Sequence, residues 1–144
     1  MKPWKNARIV VALAMMWGCG MAETVFQPKP LDYMKAVPAT EKSRKLDAEV
    51  TEFLRKQYVI ASAHYYDVPG EVPWIAVSKT VQNQMLEKSF EPVYFKWYEP
   101  GLDFVEVYPQ GNGAAFAVAM PKGTKSSAEK LVGFYVLGAP AGKK

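Results

Sequence analysis

Between Glu41 and Gln57, in EKSRKLDAEVTEFLRKQ, apolar residues recur at spacings of three and four. Leu46, Val50, Phe53 and Leu54 therefore share one face of an α-helix, and Thr40 stands where its N-terminus needs a cap. Glu41/Lys45, Lys45/Glu49 and Glu52/Lys56 place opposite charges four apart on the other side, which reads as a solvated face. Tyr58 to Asp67 is rich in β-branched and aromatic residues and predicts a strand, closed by a turn at Pro69-Gly70. Pro73 suits the first turn of a second helix reaching to about Lys88, with Trp74, Val77, Val81 and Met85 as its buried stripe. From Pro92 onward the period changes to two. Val93 to Tyr98, Leu102 to Tyr108 and Ala114 to Met120 predict three strands, punctuated by Pro100-Gly101 and Gly111-Asn112-Gly113, and Leu131 to Leu137 predicts a last one.

The third of these strands alternates Phe116, Val118 and Met120 with Ala115, Ala117 and Ala119. One side offers bulk and the other lets a helix approach closely. The order helix, strand, helix and four antiparallel strands predicts an α+β domain over 40–138, with two helices packed against one side of an antiparallel sheet of about five strands. Ahead of it, QPKPLDYMKAVP has three prolines and no periodicity, so 23–39 reads as a proline-rich linker or arm. The small residues of 139–144 predict a disordered tail. A strict two-residue reversal at Pro100-Gly101 sets Phe95 opposite Glu106, an apolar residue beside a charge, whereas a bulge or longer loop shifts the pairing. The sequence leaves both open.

The formal net charge of +4 and pI near 9.1 first suggest an acidic partner, but the charge is unevenly placed. Lys2, Lys5 and Arg8 lie in the first 22 residues without an acid, and the remaining basic residues nearly balance the 14 acidic ones. No basic stripe is left to bind nucleic acid by counterion release. Positive residues followed by an apolar run from Ile9 to Trp17 and then small residues resemble the signal peptide of exported bacterial proteins, over 1–22. The run is too short to span a bilayer, which takes about 20 apolar residues.

Two cuts fit this segment. Gly20-Met21-Ala22 resembles the small-x-small pattern of ordinary signal cleavage, which implies a periplasmic or secreted chain beginning at Glu23. Met16-Trp17-Gly18-Cys19 resembles a bacterial lipobox, which implies an outer-membrane lipoprotein attached through Cys19. Trp17 is bulky where that pattern is small, and the first cut is the leading expectation. Cys19 is the sole cysteine, so neither cut leaves a disulfide, and the membrane is a partner only through that anchor.

Candidate chemistry is sparse. His64 is the single histidine; only Ser62 and Tyr66 share its side of the strand, and no serine sits in a G-x-S-x-G turn. Asp103 and Glu106 are three apart in a strand and face opposite ways, while Asp67 and Glu71 bracket a turn. Neither pair forms the facing carboxylates of glycoside cleavage. No ligand spacing implies a metal, and Gly111 to Gly113 is a hairpin turn rather than a phosphate loop, so no cofactor is expected.

The aromatic supply stands out. Tyr94, Lys96 and Tyr98 alternate along one strand and, with Tyr66, predict a polar-tipped binding surface of the kind used for proteins and sugars. The expectation is a non-enzymatic envelope protein that binds a protein or cell-wall glycan through an aromatic sheet face, or serves an assembly as accessory. The alternative is an inhibitor or immunity-type protein acting on a cell-wall-active enzyme through the loop Pro121 to Lys130. A hydrolase using His64 or Asp67 ranks third.

Overall fold

The computed structural model describes residues 25–97, 101–122 and 129–140, so the signal segment with Cys19, and Tyr98, lie outside the described residues. The elements run β1 (Lys35–Val37), α1 (Glu41–Leu54), β2 (Val59–Val68), α2 (Trp74–Glu87), β3 (Tyr94–Trp97), β4 (Leu102–Gly111), β5 (Ala114–Pro121) and β6 (Lys130–Gly138). The strands form one sheet in the order β1-β2-β6-β5-β4-β3, with every neighbouring pair antiparallel. The expected α+β class, two helices packed against an antiparallel sheet, is what the chain forms; β1 is an edge strand of three residues that the periodicity did not signal.

α1 starts where its cap predicts. The Thr40 hydroxyl accepts from the Ser43 N–H, and the Ser43 side chain accepts from the Thr40 N–H at 2.8 Å, closing a reciprocal box. At the β4–β5 hairpin, Asn112 and Gly113 both take positive φ (57° and 77°), the mirror-image turn whose twist suits a hairpin. β3 and β4 pair with Phe95 opposite Glu106, one of the two registers the sequence left open; residues 98–100 between the strands lie outside the described residues.

The helices do not share one side of the sheet. Leu46, Val50 and Leu54 of α1 pack with Val105, Val107, Ala115, Ala117, Ala119 and Tyr135. Val77, Val81 and Met85 of α2 pack with Phe104, Phe116, Val118, Met120 and Phe134, the alternate residues of the same strands. Each helix thus covers its own face. The reason lies in β5, whose bulky and small residues are both buried, so a helix on one side alone leaves the other apolar face in water. The alanine face does receive a helix, α1, as its small side chains predict.

The proline-rich arm is packed as well. Val25 is 8 % exposed and joins the α2-side core, with Phe26 and Met34 against it. Its last residues, Lys35 to Val37, pair with Asp67 to Tyr65 of β2.

Candidate binding site

With both faces covered, the described residues leave no bare aromatic surface across the centre of the sheet. Lys96 is exposed on β3 and stands opposite Val105, which places it on the α1 side. Tyr94 is at the start of the same strand, opposite Val107. Tyr66 pairs with Val132 and Ala36 near the far edge and belongs to the α2 side, its ring edge-on to Phe134 at 5.1 Å. Tyr66 therefore does not join the β3 residues. Burial raises its hydroxyl above the ordinary tyrosine pKa.

What remains beside Lys96 is a groove of about 310 Å³ between the end of α1 and β3, lined by Phe53, Leu54, Arg55, Gln57, Tyr58, Val93 and Lys96. Its apolar wall includes Val93, which is 57 % exposed. Among the described residues, its lining includes two cations, Arg55 and Lys96, and no carboxylate. A second hollow shares Arg55 and Tyr58 with it and adds Thr51, Glu52, Lys56, Val59 and Ile60.

Arg55 and Lys56 owe their positions to an unusual helix exit. Both adopt left-handed backbone (φ 51° and 68°) where glycine is the usual residue, at a cost of roughly 1 kcal/mol or more each. The Arg55 N–H donates to the Thr51 carbonyl and the Gln57 N–H to the Leu54 carbonyl, so the strained turn still satisfies helix-end carbonyls.

Two carboxylates, one half-buried and one buried, fix the surroundings. On the α1 side, the Tyr65 and Tyr135 hydroxyls both donate to the Asp47 carboxylate, at 2.7–2.9 Å, tying α1 to β2 and β6. Desolvation, then the hydrogen bond and charge of Asp47, pushes Tyr65 up to about 12, and the same causes raise Tyr135 further. On the α2 side, Glu106 is 3 % exposed; Ser78 Oγ donates to it at 2.6 Å and the Tyr108 hydroxyl at 3.0 Å. This explains how β4 tolerates a carboxylate opposite Phe95: its oxygens receive donors from α2 and from its own strand.

His64 is exposed opposite Phe134, on the α2 side with Ser62 and Tyr66, whereas Asp67 pairs with Leu131 and faces the α1 side. The two residues named for hydrolysis are not brought together. Among the described residues, no group of three or more His, Cys, Asp or Glu could hold a metal. Of the loop Pro121 to Lys130, residues 123–128 lie outside the described residues.

Of the candidate surface, sequence reasoning found Lys96 but missed Phe53, Arg55, Tyr58 and Val93. Phe53 reads as core because it shares the helix stripe with Leu54. The visible signal was RKQ after Leu54, a helix exit without glycine. No family model, curated protein or solved structure matches the chain.

Proposed function

We propose that the chain is an exported bacterial envelope protein, a non-enzymatic binding module whose site is the groove between the end of α1 and β3. The observation that supports this most is the groove's lining: Phe53, Tyr58 and Val93 give an apolar wall, and Arg55 and Lys96 bring two cationic side chains to it. That chemistry suits an envelope protein segment with an apolar anchor flanked by Asp or Glu, the anchor supplying buried area and the acids orientation. Strained backbone that holds Arg55 at the rim fits a site kept for binding rather than stability.

A peptide display library screened against the exported chain tests the reading. Acid-flanked apolar sequences should be enriched. Charge reversal in R55E/K96E should abolish that enrichment and favour basic flanks instead. Enrichment of sequences without acids, or enrichment indifferent to the reversal, rejects the site. The export reading has its own test, the intact mass of the protein from its host: a chain beginning at Glu23 supports release to the periplasm or medium, and a lipid-bearing Cys19 supports anchoring.

A further inference from the structure

The N-terminal arm is held by an arrangement that reads its main chain. The Phe26 N–H donates to Gln110 Oε1 and Gln110 Nε2 donates back to the Phe26 carbonyl, both at 2.8 Å. Three residues on, the pattern repeats: the Lys29 N–H donates to Gln84 Oε1 at 2.8 Å and Gln84 Nε2 to the Lys29 carbonyl at 3.1 Å. Gln110 ends β4 and Gln84 belongs to α2, so two primary amides from different elements each satisfy both backbone groups of one arm residue, as a neighbouring strand does. Pro28 and Pro30 have no N–H and favour extended backbone at Gln27 and Lys29, so Lys29 is the sole backbone donor of 28–30, and the second clamp takes it. Alongside the clamps the seat reads side chains: Val25 and Pro28 are buried, and the Phe26 ring stacks on Phe90 at 6.2 Å, with the Lys88 ammonium 5.6 Å from its centre.

We propose that this seat is an extended-peptide site and that its occupant can come from a second copy of the chain, giving an arm-exchanged dimer. Every contact named above runs between residues 25–30 and the body, so it is the same whether the arm is the chain's own or its neighbour's. The joint between arm and β1 is a turn with one backbone bond, Met34 N–H to the Leu31 carbonyl at 2.9 Å, and with Asp32 and Tyr33 exposed. Opening that turn is the local cost of exchange, and protein concentration sets the balance. An unseated arm withdraws Val25 and Phe26 from the α2-side apolar core, so the seat favours occupancy from either source.

The test mixes light and isotope-labelled exported chain and follows mixed dimers by native mass spectrometry as concentration rises. Mixed dimers should form, and a synthetic VFQPKP peptide in excess should dissociate them. Q84A/Q110A should lower the dimer fraction at least tenfold, with the unaltered chain and peptide competition serving if that variant does not fold. Absence of dimers at every concentration overturns the proposal. So do dimers that neither peptide nor variant affects, which use another face, and peptide binding without dimers, which assigns the seat to a different protein's segment.

Discussion

At the residue scale, the buried carboxylate of Glu106 makes a sharp prediction. In Glu106→Ala the Ser78 and Tyr108 hydroxyls lose an acceptor in the core and a cavity opens, at a cost of about 2–4 kcal/mol in denaturant unfolding. The register was not legible: the sequence left the pairing of Phe95 with Glu106 open against a shifted one, and the former is what the strands adopt. Nor were the donors, because Ser78 comes from a helix whose facing sheet residues no local pattern specifies. A second prediction concerns Gly133. A Cβ there falls within 2.8 Å of the Tyr135 ring, so Gly133→Ala displaces the ring from Asp47 and costs roughly 1–3 kcal/mol in thermal or denaturant unfolding. Tyr65 adds a pH dependence. Its pKa is about 12 folded against 10.0 unperturbed, so above pH 10 the unfolded chain loses this proton first. Its contribution is intact below pH 10 and is lost between about pH 10 and 12. Tyr65→Phe should flatten that part of the alkaline unfolding profile, with Tyr135 still contributing.

At the element scale, α1 ends on two left-handed residues that carry side chains. Arg55→Gly should stabilise the domain by roughly 0.5–1 kcal/mol in urea unfolding while weakening capture of acid-flanked peptides, since it relieves strain and removes a rim cation. A parallel loss of both stability and binding counts against the separation. The helices themselves were legible to within a few residues, because caps and stripes are local. Their placement on opposite faces was not taken from the alternation of Phe116, Val118 and Met120 with alanines, yet a signal for it was present. AAFAVAM and LVGFYVL are almost wholly apolar, and a strand wet on one side alternates instead. The short β1 left no comparable trace: three residues are too few for a period, and its pairing with β2 is set by where the clamped arm delivers it.

At the scale of the whole molecule, the sheet is enclosed by three covers: α1 on one face, α2 and the arm on the other. Losing one glutamine clamp should loosen the arm before the sheet. In Gln110→Ala the Phe26 amide should exchange hydrogen at least tenfold faster while the amides of β5 keep their protection. The clamp also sets a length. If Cys19 carries lipid, six residue steps separate it from Val25, a span of at most about 22 Å even when fully extended. The twelve residues of QPKPLDYMKAVP then add nothing to that reach, because they are spent against the body. A molecule anchored in this way would keep the Gln110 and Phe90 end of its body, where the arm is seated, within that distance of the bilayer.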